Sequence, residues 1–170
     1  MNDPGPRSLF NIDVTFADPR WQEEPAISEL FFQSLVHSTF NQLGLHQHSV
    51  EVSILLTNDE ASQTLNHTYR GHDKPTNVLS FPSLDLNDLT LALSKQTKIP
   101  LLLGDIVLSY ETIAREADSH HKPFDQHCAH LVVHGLLHLL GYDHEKENEA
   151  EIMESLEQTI LATLSIPNPY

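Results

Sequence analysis

Three histidines in the last third of the chain have the spacing of a metal-binding site. His134 and His138 are four residues apart in a segment, 124–140, that is apolar enough to predict a buried helix. Residues four apart leave the same face of a helix, so the two imidazoles lie side by side. Gly141 suits the left-handed position that ends a helix, and the turn after it can bring His144 to the same place. The spacing therefore predicts three converging imidazoles, which suit one zinc ion with an open fourth position.

Packed core histidines are the alternative interpretation, since the chain contains 12 histidines in 170 residues. A buried apolar helix offers few partners to two imidazoles, and an unpaired buried polar group costs free energy. The metal site is therefore favoured. His130 is a weaker third ligand than His144, because three positions spaced by four residues drift by about 40° each around an ideal helix.

Residue 135 separates two classes of zinc chemistry. The metallopeptidase pattern H-E-x-x-H places a glutamate, the general base, directly after the first histidine, whereas this chain has Gly135. Three neutral ligands also leave the double positive charge of the ion intact, which favours an anionic substrate such as a phosphodiester. A zinc peptidase with a displaced base is the less favoured alternative.

Composition bounds the class of protein. A chain of 170 residues with 39% hydrophobic content predicts one domain. Cys128 lies in the predicted buried helix and is expected to be a small core residue, and a single cysteine agrees with a reducing cytoplasm. Residues 1–6 contain neither cations nor an apolar run, so an intracellular protein without a membrane segment is expected.

The net charge of −15 opposes indiscriminate binding to nucleic acid. It is the main argument in the sequence against a nuclease. An RNA substrate would need the metal, a small cluster of basic residues or a partner protein to bring it to the site.

Alternating apolar residues predict strands over 10–16, 50–56, 78–81 and 101–109. Gly104 is expected to mark a bulge or a close backbone approach. Residues 83–98 mix alternating leucines with turn formers and are predicted to be a long loop or hairpin.

Apolar residues at helical spacing predict the helices. The first runs from Pro25 to a stop at Gly44, the second opens with a capping box of Thr57 and Glu60, and the third is capped by Ser109. The buried helix 124–140 and a helix over 147–164 follow. The last is expected to expose its many glutamates and to bury five apolar residues, namely Ile152, Met153, Leu156, Ile160 and Leu161.

Three blocks of the chain, residues 69–82, 103–106 and 130–144, resemble the YbeY family of metal-dependent endoribonucleases. The most specific is His-Gly-Leu-Leu-His-Leu-Leu-Gly-Tyr-Asp-His at 134–144, and the resemblance spans most of 65–161. It implies an α+β fold in which helices pack a mixed four-stranded sheet with a zincin-like core. It also implies that His134, His138 and His144 are the ligands of one zinc ion and that Arg70 is the basic residue of the active-site cleft. Without the resemblance, Arg70 would be interpreted as an ordinary exposed loop cation.

The resemblance implies a single endoribonuclease domain over 1–170 that hydrolyses phosphodiester bonds of single-stranded RNA in the cytoplasm. Its expected role is ribosomal RNA maturation, at the 3′ end of the small-subunit RNA, and ribosome quality control. The expected partners are ribosomal RNA and the ribosome, with a small-subunit protein and assembly factors, whereas DNA and membranes are not expected. Association with the ribosome would deliver the RNA despite the charge of −15.

Several points of mechanism stay open in the sequence. The nucleophile is either metal-activated water, whose pKa on zinc can approach about 7, or the 2′-hydroxyl of the substrate. Asp143 either orients a ligand imidazole or is a turn residue. Residues 83–98 are longer than the link usual in the family. A non-catalytic zinc-binding assembly factor is the main alternative function, and it would need a fourth protein ligand.

Overall fold

The computed structural model describes residues 9–95 and 99–170. Its strands are β1 (Phe10–Phe16), β2 (Val50–Thr57), β3 (Val78–Pro82) and β4 (Leu101–Ser109). Its helices are α1 (Glu29–Gln42), α2 (Asp59–Arg70), α3 (Leu86–Leu93), α4 (Tyr110–Ser119), α5 (Phe124–Leu139) and α6 (Glu147–Thr163), and a 3-10 helix covers Pro19–Glu23. None of the helices in these two ranges is long and apolar enough to cross a membrane.

The four strands form one mixed sheet in the order β1-β2-β4-β3. β1 pairs with β2 and β2 with β4 in parallel, whereas β3 runs antiparallel to β4 at one edge. The parallel pairs require crossover connections, which α1 and the segment from α2 to α3 provide. The predicted α+β fold with a mixed four-stranded sheet is confirmed.

Gly104 lies at an irregularity in β4, as predicted. In the register with β2, Glu51 pairs with Leu102 and Val52 with Gly104, so Leu103 is an extra residue. Gly104 has φ +140°, and a Cβ atom there would overlap the carbonyl oxygen of Phe81 on β3. Only glycine lets the two strands approach this closely.

Helix α5 is the centre of the core. It packs against β3 and β4 on the sheet and against α1, α4 and α6. Its residues are buried nearly all round, as the run of apolar residues predicted, and Cys128 is one of them. The side chains of α5 are therefore fixed by neighbours on several sides.

The predicted loop or hairpin over 83–98 is wrong for residues 86–93. Residues 86–93 form α3, which Asp85 caps by accepting a hydrogen bond from the backbone N–H of Asp88 at 2.8 Å. Leu86, Leu89 and Leu93 are spaced as on a helix, and Leu89 is buried. The alternation of leucines was the misleading signal. Residues 96–98 lie outside the described residues.

One of the two predicted helix caps is wrong. Asn58 caps α2, since its Oδ1 accepts from the N–H of Ala61 at 3.0 Å, while Thr57 is the last residue of β2. Ser109 occupies the N-cap position of α4, as predicted, but its hydroxyl donates to Asp59 at 2.6 Å and makes no capping hydrogen bond to the helix. Asparagine is as good a cap as threonine, so the sequence did not distinguish neighbouring candidates.

Helix α6 matches its predicted extent, but two of its residues were assigned to the wrong face. Ile152, expected in the core, is 55% exposed because it lies beside the buried face, while Leu156 is half-buried. Glu157, expected on the wet face, is completely buried with Met153, Ile160 and Leu161. A glutamate on the apolar face of α6 requires polar partners there.

Candidate metal centre

The end of α5 brings three imidazoles together. Gly141, at φ +92°, ends the helix, and its N–H donates to the carbonyl oxygen of His138 at 3.0 Å. The chain then turns so that His144 faces His134 and His138, with ring centroids 5.5 and 5.1 Å away. One nitrogen from each of the three rings lies within 4.8 Å of the others. This group could hold a metal ion.

Hydrogen bonds fix which nitrogens of His134 and His138 point inward. Nδ1 of His134 donates to Oε1 of Glu157 at 2.6 Å, and Nδ1 of His138 donates to the carbonyl oxygen of Tyr142 at 3.0 Å. Both acceptors lack a proton to give, so each Nε2 carries a lone pair. The two Nε2 atoms lie 3.0 Å apart. Lone pairs at this distance repel each other unless they share a cation, so this donor set fits a metal ion.

The environment of His138 favours its neutral form. Burial lowers the pKa of this imidazole, and the neighbouring His134 lowers it further. A metal binds the neutral ring, so burial prepares His138 as a ligand.

Glu157 is the residue beside the three histidines that the sequence did not predict. Its carboxylate accepts from Nδ1 of His134, from Nε2 of His130 at 3.2 Å and from the hydroxyl of Tyr170. Burial opposes its ionisation, but the three hydrogen bonds outweigh that effect and lower the pKa of Glu157 to about 2. The signal was present, because Glu157 occupies a core position of the apolar stripe of α6.

His130 lies outside the group of three, as its rotation around α5 predicted. Its Nε2 contacts Glu157 and Tyr170 instead. Asp143 accepts from the backbone N–H of His144 at 2.7 Å, which is the turn role that the sequence offered as an alternative to orienting an imidazole.

Gly135 has little free space beside it. A Cβ atom there would lie 3.1 Å from Oγ of Ser80 and 3.3 Å from Cδ1 of Ile106. Ser80 also donates a hydrogen bond of 3.3 Å to the carbonyl oxygen of Gly135. α5 thus packs closely against β3 and β4 at residue 135, the position at which the metallopeptidase pattern has its glutamate base.

Arg70, the last residue of α2, joins the edge strand of the sheet. Its Nη2 donates to the carbonyl oxygen of Ser80 at 3.0 Å, and the residue is exposed. Because the Ser80 hydroxyl contacts Gly135, one residue of β3 connects Arg70 to the helix turn that bears His134 and His138. Arg70 is therefore attached to β3, a strand against which α5 packs.

Comparison with known proteins identifies relatives over nearly the whole chain. The family model described as Endoribonuclease YbeY matches residues 18–165. Proteins named Endoribonuclease YbeY include one from Bradyrhizobium diazoefficiens, 49% identical over 150 residues, which cover 88% of this chain and 79% of the relative. Another, from Magnetococcus marinus, is 55% identical over 122 residues, which cover 71% of this chain and 83% of the relative.

A solved structure agrees with the fold. The solution structure of TM1509 from Thermotoga maritima has a TM-score of 0.53 at 21% identity, with 92% of this chain and 91% of that chain covered. At this identity the match shows the fold alone. The family-model match and the relatives together show that the chain belongs to the Endoribonuclease YbeY family.

Proposed function

We propose that the protein is a zinc-dependent endoribonuclease that cleaves single-stranded RNA. The proposal rests on one observation above all: in a member of this family, two imidazole Nε2 lone pairs face each other 3.0 Å apart, with His144 beside them. Such a group needs a cation. The cleavage is assigned to a single endoribonuclease domain over residues 1–170.

Zinc is the metal that suits this donor set best. It prefers four ligands in a tetrahedron, with zinc–nitrogen distances of about 2.0–2.1 Å, which place ligand nitrogens about 3.3 Å apart. The 3.0 Å between the Nε2 atoms of His134 and His138 is close to that spacing. Three histidines leave the fourth position for water or substrate, as in catalytic rather than structural zinc sites. When bound, zinc would supply Lewis-acid chemistry at a phosphodiester.

Arg70 is proposed to bind a non-bridging oxygen of the scissile phosphate. A guanidinium has five N–H donors, so the bond from Nη2 to Ser80 leaves others for a bidentate contact. The same bond anchors the side chain to β3. Charge that accumulates on the phosphate during the reaction would then be stabilised by a fixed cation.

Single-stranded RNA is favoured over a duplex on electrostatic grounds. A duplex carries about one charge per 1.7 Å of axis, and a single strand about half as much. A protein with a net charge of −15 therefore experiences less repulsion when it approaches a single strand.

The biological role follows from the family. We assign the protein to maturation of the 3′ end of small-subunit ribosomal RNA and to ribosome quality control in the cytoplasm. The ribosome, with a small-subunit protein and assembly factors, is the proposed means of bringing RNA to an acidic enzyme. The charge of −15 is the property of this chain that makes such delivery necessary.

A cleavage assay on zinc-loaded protein tests the proposal. End-labelled single-stranded RNA and the matching duplex are incubated with the wild type and with His134→Ala, Arg70→Glu and Lys95→Glu, all purified identically to control for contaminating nucleases. Lys95, exposed after α3, provides the same charge change away from β3. Zinc content is measured on every sample.

His134→Ala is expected to lose both zinc and cleavage. Arg70→Glu is expected to keep zinc and to cleave about 10²- to 10³-fold more slowly, the usual loss when a group that stabilises transition-state charge is removed. Lys95→Glu is expected to cleave like the wild type. Equal cleavage by all four proteins would refute the proposal, and so would full zinc stoichiometry in His134→Ala.

A further inference from the structure

Glu157 is a buried carboxylate without a lysine or arginine partner among the contacts that the structure describes. Its exposed fraction is 0%, and its hydrogen-bond partners are the two imidazoles of His130 and His134 and the hydroxyl of Tyr170. A carboxylate away from water is costly, and an apolar residue of similar size would fill the same space between α5 and α6 more favourably. Packing alone therefore does not account for Glu157.

The short bond to His134 does account for it. An imidazole can rotate about its bond to Cβ and can carry its proton on either nitrogen, and a ligand must have one orientation and one tautomer. For His138 the acceptor at Nδ1 is the backbone carbonyl of Tyr142, which the turn itself supplies. For His134 the acceptor is Oε1 of Glu157 at 2.6 Å. Each of the two helical ligands thus has its own orienting acceptor, and one of them is charged.

The segment after α6 holds this carboxylate in place. Residues 165–170 run back along α5, where Nζ of Lys122 donates to the carbonyl oxygen of Pro169 at 2.5 Å. Tyr170 follows, with its ring edge-on to that of His130 at 5.3 Å and its hydroxyl donating to Oε2 of Glu157. Oε2 is occupied in this way while Oε1 faces His134, so the carboxylate cannot turn freely.

We propose that Glu157 is a positioning residue of the metal centre, which fixes the ring orientation and tautomer of His134. Tyr170 holds the Glu157 carboxylate in place, so residues 165–170 complete the site. The inference rests on the proposed metal-binding function of the three histidines. It assigns to α6 and the following segment a role at a centre whose ligands all lie elsewhere in the chain.

Cobalt binding provides a test that does not involve RNA. Co²⁺ replaces zinc in nitrogen-ligand sites and has a visible absorption spectrum that reports ligand geometry. The dissociation constant is measured by competition with a chelator for the wild type, Glu157→Gln, Tyr170→Phe and the control Glu151→Gln, which removes the same charge from an exposed position of α6. Thermal unfolding of each metal-free protein is measured in parallel.

Glu157→Gln is expected to bind Co²⁺ about 10- to 100-fold more weakly than the wild type, the usual loss when the partner of a ligating histidine is altered. Its cobalt spectrum is expected to shift, because His134 loses the acceptor that orients its ring. A purely structural substitution would instead change thermal stability but not the ligand field of the bound cobalt. Glu151→Gln is expected to match the wild type in both measurements.

Tyr170→Phe keeps the inference testable if Glu157→Gln does not fold. It removes one hydroxyl from a residue that is 58% exposed, so the variant is expected to fold. Because Tyr170 acts on His134 only through the Glu157 carboxylate, its lost hydrogen bond predicts a dissociation constant about three- to tenfold larger than that of the wild type. In both variants, NMR of the imidazole nitrogens is expected to show His134 as a mixture of tautomers, with the His134→Ala spectrum providing the assignment.

Two results would overturn the inference, and they differ in what else they overturn. If the wild type binds Co²⁺ but Glu157→Gln and Tyr170→Phe stay within twofold of it with unchanged spectra, the positioning role is wrong while the proposed function stands. If Tyr170→Phe folds and Glu157→Gln does not, a Co²⁺ dissociation constant of Tyr170→Phe within twofold of the wild type is enough to overturn the positioning role. If the wild type itself binds no Co²⁺, the metal centre and the positioning role are both wrong.

Discussion

Replacing Gly104 by alanine is expected to damage the fold beside the candidate metal centre. Gly104 lies where β3, β4 and α5 converge: a Cβ atom there would overlap the carbonyl oxygen of Phe81 and lie 3.0 Å from Cδ2 of Leu139. A backbone carbonyl cannot move aside by changing rotamer. β3 must therefore separate from β4, or Gly104 must leave its φ of +140°.

The magnitude follows from two contributions. Holding a residue other than glycine in this backbone conformation costs about 1–3 kcal/mol, and forcing an additional methyl group into a packed site typically costs about 1–3 kcal/mol more. Gly104→Ala is therefore expected to lower the free energy of unfolding by about 2–6 kcal/mol. Gly44→Ala is the matched control, because Gly44 has φ +70° with nothing within 4 Å of the added atom. It should lose only the conformational cost of about 1–2 kcal/mol.

Denaturant titration measures both losses. The chain has a single tryptophan, Trp21, whose side chain is fully buried, so its fluorescence reports unfolding directly. We expect Gly104→Ala to unfold at a clearly lower denaturant concentration than Gly44→Ala, and to bind Co²⁺ more weakly because β3 supports α5 through Ser80. Losses of stability within about 0.5 kcal/mol of each other, the usual error of such comparisons, would refute the argument that strand contact at Gly104 is essential.

Two further predictions concern groups whose pKa the fold changes. Hydrogen bonds from the side chain and backbone of Arg20 lower the pKa of Asp18 far below its usual 3.8, so Asp18 stabilises the folded state above about pH 4 and this contribution is lost as the pH falls further. Asp18→Asn should lower the free energy of unfolding by about 1–2 kcal/mol at pH 7, and a difference that does not shrink below pH 4 would contradict this assignment. Cys128 is fully buried, and burial raises the pKa of its thiol. Ellman's reagent should therefore label Cys128 only as fast as the protein unfolds. Rapid labelling of the native protein would show that α5 is less well packed than the structure indicates.

The centre of the site could be predicted because its signals are local. The convergence of His134, His138 and His144 depends on one helix and its terminating turn, and the spacing of four residues with Gly141 behind it indicates both. The bulge at Gly104 was predictable for the same reason, since a glycine inside a strand commonly marks a bulge or a close backbone approach. The tautomer of His134 is different, because it depends on Glu157 of α6. Arg70 is also different, because only family resemblance distinguished it from an ordinary loop cation.

The remainder depended on contacts between distant segments. Glu157 is separated from His134 by 23 residues, and helical glutamates are exposed so commonly that its position on the apolar stripe of α6 was outweighed. The leucines of α3 are spaced both alternately, as in a strand, and at helical intervals. Within eight residues the sequence therefore fits a strand and a helix equally well. Short segments of this kind are decided by what they pack against, and Leu86 and Leu89 pack beside Gly141.

The charges of the site explain how an acidic protein can act on RNA. At physiological salt, charges farther than about 8 Å apart are largely screened, so the net −15 acts mainly through residues near the bound strand. Three neutral imidazoles would leave a zinc ion its full charge, and Arg70 adds an exposed cation that is hydrogen-bonded to β3. Glu157 opposes them with one negative charge, but its two oxygens are already engaged with His130, His134 and Tyr170 behind the ligand shell. Attraction is therefore confined to about one phosphate, which suits cutting a strand that is held elsewhere better than capturing one from solution.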